Sequence, residues 1–198
     1  MVGGGYFFCF SLDFQLDLRK FQVVVGKSGE LRKNHFSIYY REKFRKAVMS
    51  SFKGRYTYSV DNKGRVAIPS KLRKNLATSA KGTFVVTRGF EKCLYVYPQD
   101  EWNKLEQYVR SLSFLNAQHR FFERTLFEWA VDLELDSQAR ITVPQDLLHY
   151  ASIDNEVMIL GVVDRLELWS PTVYDEYQRN QPDTYETVAE RVFGPQSK

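Results

Sequence analysis

The stretch Val60-Asp61-Asn62-Lys63-Gly64-Arg65-Val66-Ala67-Ile68-Pro69 decides the fold, because the chain contains its pattern twice. The second copy is Leu135-Asp136-Ser137-Gln138-Ala139-Arg140-Ile141-Thr142-Val143-Pro144. Each copy has an apolar residue, an aspartate, three small or polar residues and an arginine, followed by an apolar, a small and an apolar residue before proline. An alternating segment, the pattern of a half-buried strand, precedes each copy. The chain therefore carries an internal repeat.

The repetition extends beyond these two stretches. Leu94–Pro98 resembles Leu166–Ser170, and an aromatic residue follows each on a predicted helix, Trp102 in the first copy and Tyr174 in the second. A unit of this length buries little surface by itself, since domains below about 60 residues are marginally stable. We therefore predict an α+β fold in which two tandem repeats share one barrel-like core as a pseudo-twofold pair, with the helices outside.

An ordered series of motifs resembles that of the MraZ family of bacterial transcriptional regulators, which consist of two SpoVT-AbrB-type repeats. The motifs are Phe52-Lys53-Gly54-Arg55-Tyr56, the two Asp-x-x-x-Arg turns, Thr87-Arg88-Gly89-Phe90 and Tyr97-Pro98-x-x-x-Trp102. The resemblance covers residues 49 to about 180. It implies that the two repeats are AbrB-like.

The chain divides into four predicted segments. Residues 1–48 do not match the repeats and are expected to be an upstream extension outside the fold. The first AbrB-like repeat, with its linking helices, spans residues 49–128, and the second spans residues 129–180. Residues 181–198 are predicted to be a polar, disordered tail.

Two helical features follow from the order of residues. Pro69 cannot donate to a strand ladder and ends the strand, so Ser70 is predicted to cap a helix that reaches Leu76.

Trp102 and Phe121 are predicted to lie on aromatic helix faces that stay exposed in a monomer. Such faces favour homo-oligomers.

The composition limits the possible functions. The chain has 198 residues, 43% of them hydrophobic, with a net charge of +4 and a pI near 9.0. These values fit one soluble globular domain or two small ones, and they permit nucleic-acid binding without requiring it. Two cysteines form no disulfide framework, and no Cys/His spacing matches a metal site. No cofactor or nucleophile motif is present, so we predict a non-enzyme without cofactor, metal or small-molecule substrate.

The sequence also predicts no membrane-spanning helix. The apolar run Tyr6–Phe10 is much shorter than the ~20 residues that a membrane helix needs. Asp13 interrupts the run early, and neither a basic start nor a cleavage site accompanies it, so a signal peptide is not expected. A reducing cytoplasm is the simplest compartment.

Charge distinguishes the two repeated turns. The first turn is surrounded by basic residues, and the second by acidic residues. A strand–turn–strand with cationic side chains can lie on duplex DNA, where the cations replace counterions. Arginine can also form two parallel hydrogen bonds to a phosphate or a guanine. The candidate DNA contacts are Arg65, Lys63, Arg140, Lys53 and Arg55. We expect Lys53 and Arg55 to stand beside Arg65 and add to its attraction for phosphate.

A structural interpretation competes with this one. Asp61 and Asp136 are predicted to accept hydrogen bonds from turn N–H groups, and Gly64 suits a position with positive φ. Each arginine can also pair back to its aspartate. The second turn has Ser137-Gln138-Ala139 where the first has Asn62-Lys63-Gly64, which argues against equal participation in DNA binding.

The family resemblance links the Asp-x-x-x-Arg elements, here Asp61/Arg65 and Asp136/Arg140, to DNA binding. It implies a sequence-specific transcriptional regulator of the cell-division and cell-wall gene cluster, cytoplasmic and associated with the nucleoid. It also implies ring-like homo-oligomers that read several short DNA repeats together, and linked contacts of this kind gain avidity. The alternative is an AbrB-like protein-interaction module, an antidote-type partner without DNA specificity.

Overall fold

The computed structural model describes residues 50–80 and 82–194. The predicted upstream extension, residues 1–48, lies outside the described residues. The described part of the chain contains no helix with the length and apolar character needed to cross a membrane.

The two repeats have corresponding elements in the same order. Those of the first are β1 (Phe52–Ser59), β2 (Arg65–Ala67), α1 (Ser70–Arg73), β3 (Thr83–Arg88), β4 (Leu94–Pro98), α2 (Gln99–Arg110) and the linking helix α3 (Ala117–Glu128). Those of the second are β5 (Val131–Glu134), β6 (Arg140–Thr142), α4 (Gln145–Tyr150), β7 (Glu156–Val163), β8 (Arg165–Trp169) and α5 (Pro171–Arg179). A last helix, α6 (Tyr185–Phe193), follows.

Six strands form one antiparallel sheet in the order β1-β7-β8-β4-β3-β5. Each repeat supplies one edge strand that pairs with the other repeat, since β1 lies against β7 and β5 lies against β3. The prediction of an α+β fold with two repeats is confirmed. The sheet itself stays open, with β1 and β5 at its edges.

The short strands β2 and β6 form a separate antiparallel ribbon, with one strand from each repeat. Val66 lies opposite Ile141 at its centre, and both side chains are fully buried. Because side chains alternate along a strand, the residues on either side of these two point to the opposite face of the ribbon.

One hydrophobic core is common to the sheet, the ribbon and the short helices α1 and α4. Leu72 and Leu147 occupy equivalent positions in it, each three residues after the proline that ends the repeated stretch. Burying a leucine side chain contributes about 1.5–3 kcal/mol relative to leaving it exposed. The core therefore fixes the ribbon on the body of the protein from both repeats.

Helices α2 and α5 pack on the other face of the sheet. Helix α2 contacts β3 and β4 and buries Trp102 and Val109. Helix α5 places Tyr174 and Tyr177 against Trp169, with 5.2 Å between ring centroids in both pairs. Trp102 is only 4% exposed, so the expectation that it lies on an exposed face is wrong. It packs on the aromatic rings of neighbouring residues instead.

The start of α1 also differs from the prediction. Pro69 occupies the N-cap position, Ser70 is already the first helical residue, and no side-chain hydrogen bond caps the helix. The predicted Ser70 cap is therefore wrong. The helix ends at Arg73 rather than Leu76, and the Arg73 Nε donates to the carbonyl of Ile68 at 3.1 Å.

The segment predicted to be a disordered tail contains α6, so that prediction is wrong. Thr184 caps this helix by accepting a hydrogen bond from the N–H of Thr187 at 3.3 Å. The Arg191 guanidinium pairs with the Asp183 carboxylate, with N–O distances of 2.7 and 2.9 Å. Residues 181–198 are polar overall, but they contain a helix-capping residue and apolar residues at helical spacing. The overall composition therefore gave no indication of the helix.

Candidate nucleic-acid interface

The first repeated turn is built around the Asp61 carboxylate. Its Oδ1 accepts hydrogen bonds from the backbone N–H groups of Lys63 at 2.9 Å and Arg65 at 3.0 Å. Its Oδ2 accepts from the Arg65 Nε at 2.6 Å. The Gly64 N–H closes the same turn by donating to the Asp61 carbonyl at 2.8 Å. One carboxylate thus orders the backbone of the turn and orients the arginine that follows it.

The second turn has the same hydrogen bonds around Asp136. Its Oδ1 accepts from the N–H groups of Gln138 and Arg140, both at 2.9 Å. Its Oδ2 accepts from the Arg140 Nε at 2.8 Å and lies 2.7 Å from the terminal nitrogen Nη2. The Ala139 N–H donates to the Asp136 carbonyl at 2.9 Å. The two turns are therefore near copies, although three of their residues differ.

The third residue after each aspartate has a left-handed backbone, with φ of 74° at Gly64 and 59° at Ala139. A Cβ at position 64 would lie 2.5 Å from the carbonyl oxygen of Val143, so only glycine fits there. Ala139 accepts the left-handed conformation with its Cβ in place. The absence of a glycine in the second turn therefore does not change the hydrogen bonding of that turn, which the sequence did not predict.

The β2–β6 ribbon brings the two turns together. Arg65 lies opposite Thr142, and Arg140 lies opposite Ala67, so both arginines belong to the outward face and are diagonal neighbours. Diagonal pairs in antiparallel strands are about 7–8 Å apart between Cα atoms, which long side chains can span. The backbone of each turn is also tied to the other repeat, because the Val143 N–H donates to the Gly64 carbonyl at 2.9 Å and the Ile68 N–H donates to the Ala139 carbonyl at 3.0 Å.

The side chains Asp61, Arg65, Asp136 and Arg140 form what we call the Asp–Arg cluster. Besides the pair within each turn, Nη1 of Arg140 lies 4.0 Å from Oδ2 of Asp61. Two carboxylates and two guanidinium groups give this cluster a formal charge of zero. All four side chains remain partly exposed, between 24% and 36%.

The hydrogen bonds lower the pKa of both aspartates below the ordinary value of 3.8. For Asp61 the main cause is the backbone N–H of Arg65, and for Asp136 it is the Arg140 side chain. In both cases the bonds favour the charged carboxylate.

A pKa that is lower in the folded than in the unfolded chain makes stability depend on pH. The carboxylates stabilise the fold fully above their unfolded pKa, and this stabilisation is lost as the pH falls through the folded pKa. We expect the thermal midpoint to fall as the pH is lowered from about 5 to about 2. The measurement is thermal unfolding, followed by circular dichroism, of the wild type and of an Asp61→Asn, Asp136→Asn double variant. The double variant should show a flatter pH profile, and an equally steep profile would contradict this prediction.

Three exposed lysines accompany the first turn. Lys63 lies within the turn itself, and Lys71 and Lys74 lie on and just after α1, which follows β2 directly. Because the Asp–Arg cluster is neutral, these lysines determine the local sign of the charge. The surroundings of the first turn are therefore basic.

Lys53 and Arg55 do not stand beside Arg65, contrary to expectation. They lie on β1, whose far end leads into the turn, and at about 3.3 Å per residue Arg55 is roughly 20 Å along the chain from Asp61. The Arg55 guanidinium instead approaches α5, 5.5 Å from the Tyr174 ring centroid and 4.0 Å from the Asp175 carboxylate. Lys53 and Arg55 are therefore not placed to add to the attraction of Arg65 for phosphate, as the sequence spacing had predicted they would.

Acidic residues accompany the second turn. Asp132 and Glu134 are exposed on the edge strand β5, opposite Val85 and Thr83. Asp146 is exposed in the first turn of α4, where the helix dipole favours a negative charge. The difference in sign between the two turns, noted in the sequence, is thus also present on the surface.

Arg88 connects the two repeats. In the sequence it was identified only as part of a family motif. Its guanidinium carbon lies 4.0 Å from the Tyr150 ring centroid and 5.2 Å from that of Trp129. These cation–π contacts join β3 of the first repeat to α4 of the second.

Neither a metal site nor a reactive thiol is present among the described residues. Within residues 50–80 and 82–194, no group of three or more His, Cys, Asp or Glu side chains is arranged to hold a metal ion. Burial raises the pKa of the Cys93 thiol far above its ordinary value, so this thiol stays protonated and is a poor nucleophile.

The family comparison reproduces the twofold organisation. The family described as "MraZ protein, putative antitoxin-like" matches residues 51–125 and again residues 126–195. The chain belongs to the MraZ family. The resemblance predicted from the motifs is confirmed, and the boundary between the two matches lies in α3, the helix that links the two repeats.

Curated MraZ relatives support the same assignment over most of the chain. The protein from Moorella thermoacetica is 43% identical over 141 residues, which are 71% of this chain and 96% of the relative. The protein from Syntrophomonas wolfei is 42% identical over 141 residues, with the same coverage. Both are named transcriptional regulator MraZ, so the family includes transcriptional regulators.

Proposed function

We propose that this chain is a transcriptional regulator that binds specific double-stranded DNA through the outward face of the β2–β6 ribbon. The observation that carries the proposal is that two copies of one Asp–Arg turn, one from each repeat, meet on this face. A two-stranded antiparallel ribbon fits the major groove of B-DNA, which is about 12 Å wide.

Each cation near the ribbon has a distinct role in this proposal. Arg65 donates to a base edge or a phosphate, since among the described residues its guanidinium group donates a single hydrogen bond, from Nε to Asp61. Lys63 contacts the DNA backbone from within the turn. Lys71 and Lys74 neutralise flanking phosphates from the end of α1. Lys53 and Arg55 are outside the proposed contact, because they lie along β1 toward α5.

A salt titration of DNA binding tests this function. We expect wild-type protein to retain duplex DNA from upstream of its own gene in a gel shift, and to protect it in a footprint. The logarithm of the affinity should fall linearly with the logarithm of salt concentration, with a slope of about −0.9 for each phosphate neutralised. Scrambled duplex of the same composition is the control. Absence of a retained band at low salt would overturn the proposal.

The target and the location in the cell come from the family. The proposed target is the gene cluster for cell division and cell-wall synthesis, and the proposed location is the cytoplasm, at the nucleoid. We propose no enzymatic activity for this chain, and the relatives are named as regulators.

Self-association is part of the proposal, because short DNA repeats are bound more tightly by linked subunits than by single ones. Large apolar side chains are exposed where α2 connects to α3, and one follows within α3. They are Phe114, Leu115 and Phe121, with 74%, 76% and 71% exposure. Clusters of exposed apolar residues mark interaction surfaces in soluble proteins. We assign this helical connection to contacts with a second copy of the chain.

Light scattering should give a mass well above the 23.3 kDa of a single chain at micromolar concentration. Phe121→Asp should shift the mass toward that of the single chain, because it places a charge in the proposed interface. Phe90→Asp is the matched control, since Phe90 is 81% exposed and belongs to the turn between β3 and β4, outside the helical connection. A wild-type mass near 23.3 kDa would contradict the prediction.

The second candidate is a protein-interaction module of the antidote type. The description of the family as antitoxin-like and the exposed residues between α2 and α3 favour it. The two candidates differ in the gel shift, because a module without DNA affinity retains no duplex at any salt concentration.

A further inference from the structure

The last helix, α6, presents an apolar stripe that stays exposed in the described part of the chain. Tyr185, Val188 and Val192 recur at the spacing of one helix face, and Phe193 follows at the end of the helix. All four side chains are exposed, and within the described fold α6 has no buried residue. Most helical stability in proteins comes from packing of an apolar face, so a helix of nine residues needs a surface on which to pack.

Local contacts fix the shape of α6 although its stripe is uncovered. Thr184 caps the helix, and two hydrogen bonds at 2.7 and 2.9 Å join the Arg191 guanidinium to the Asp183 carboxylate. The remaining acids of the helix, Glu186 and Glu190, are exposed. They are four residues apart and therefore lie on one side of the helix. The stripe is thus held in a defined helix with an acidic side.

The helical connection between α2 and α3 is also apolar, exposed and ordered. Nη1 of Arg120 donates to the carbonyls of Phe114 and Leu115, at 2.7 and 3.0 Å, and fixes the backbone that carries these two side chains. Phe121 and Arg124 are exposed and three residues apart on α3, so they are neighbours on the helix surface. A surface that is already ordered loses less conformational entropy when a partner binds.

We infer that α6 of one copy of the chain packs on the helical connection of a second copy. Both surfaces are exposed in a single chain, so neither covers the other within that chain. The acids Glu186 and Glu190 of α6 are opposite in charge to Arg124 of α3, and such complementarity favours the correct partner. The inference rests on the proposed self-association and names the segment that the helical connection binds.

The two surfaces differ, so the contact between copies is heterologous. Each copy offers α6 to one neighbour and its helical connection to another, and the assembly continues from copy to copy until it closes into a ring. A symmetric contact between two helical connections would instead stop at a dimer. Mixing variants separates these two arrangements.

The test uses two full-length variants, each of which damages one surface. Val192→Asp places a charge in the stripe of α6, and Phe121→Asp places one in the helical connection. Light scattering should give each variant alone a mass near the 23.3 kDa of a single chain. In an equimolar mixture, the intact α6 of the Phe121→Asp chain can bind the intact connection of the Val192→Asp chain. The mixture should therefore show about twice the single-chain mass.

Val163→Asp is the matched control, since Val163 is an exposed valine at the end of β7, outside both surfaces, and the variant should keep the wild-type mass. Val188→Asp should behave like Val192→Asp, and circular dichroism confirms that each variant is folded. A wild-type mass for both α6 variants, or a mixture that stays at the single-chain mass, would overturn the inference. Failure of the proposed self-association gives a different result, in which the wild type itself has the mass of one chain.

Discussion

Replacing Arg65 with alanine should cause the largest loss of DNA affinity of any single substitution in the ribbon. A phosphate contact is worth about one unit of salt slope, and a base contact about 1–3 kcal/mol. In the proposed homo-oligomer, linked subunits would multiply the loss of each one, so the observed decrease should exceed that of a single site. The expected result is a large decrease in affinity together with a smaller salt dependence, measured on the duplex from upstream of the gene.

Two controls make the Arg65 result specific. Arg65→Lys keeps the charge without the planar fork, so it should preserve the salt slope and lose discrimination between specific and scrambled duplex. Arg55→Ala removes an exposed arginine that approaches α5, and it should leave both affinity and slope unchanged. If Arg55→Ala reduces affinity as much as Arg65→Ala, the DNA surface extends along β1 and the ribbon is not its centre.

Gly64→Ala should cause the largest loss of stability among conservative changes at the turns. Its left-handed backbone costs an L-residue about 1–2 kcal/mol, and the new Cβ would lie 2.5 Å from the Val143 carbonyl oxygen. Together these effects should destabilise the protein by about 2–4 kcal/mol. The Gly64 carbonyl also accepts the Val143 N–H, so displacement of this backbone disturbs the ribbon and both repeats.

Ala139→Gly is the matched change in the second turn. Ala139 already accommodates a Cβ at φ of 59°, so its removal should change stability by less than about 1 kcal/mol. Denaturant unfolding of both variants gives the comparison, because the midpoint shifts while the slope stays constant. Equal losses in the two variants would show that the close approach to Val143 does not determine the requirement for glycine at position 64.

Much of the fold could be predicted from sequence, because the internal repeat is recognisable from short motifs that occur twice. The aspartate, the arginine and the following proline recur at fixed spacing, and the burial of Leu72 and Leu147 follows from that spacing. The pairing of β1 with the other repeat could not be predicted, since alternation identifies a strand but not its neighbour. The helix in the C-terminal segment was missed because its overall composition is polar.

The candidate site was predicted in part. The sequence identified the aspartates as acceptors for turn N–H groups, and hydrogen bonds of this kind are present in both turns. The sequence did not distinguish Arg65, which lies at the turn, from Arg55, which lies on β1. Residues that are near each other in sequence can be far apart in space when an extended strand lies between them. It also could not reveal that Arg140 reaches Asp61, since that approach depends on the register of the β2–β6 ribbon.

The exchange of edge strands between repeats has a consequence for synthesis of the protein on the ribosome. The partner of β1 in the sheet is β7, and Phe52 lies opposite Val163. The first half of a nascent chain therefore emerges with β1 lacking its neighbour and with half a ribbon. Contacts so distant in sequence slow folding, and the β1–β7 pairing cannot form before β7 has been synthesised. The β2–β6 ribbon cannot form before Thr142 has left the exit tunnel, so a product that ends within the first repeat lacks the proposed DNA-binding surface.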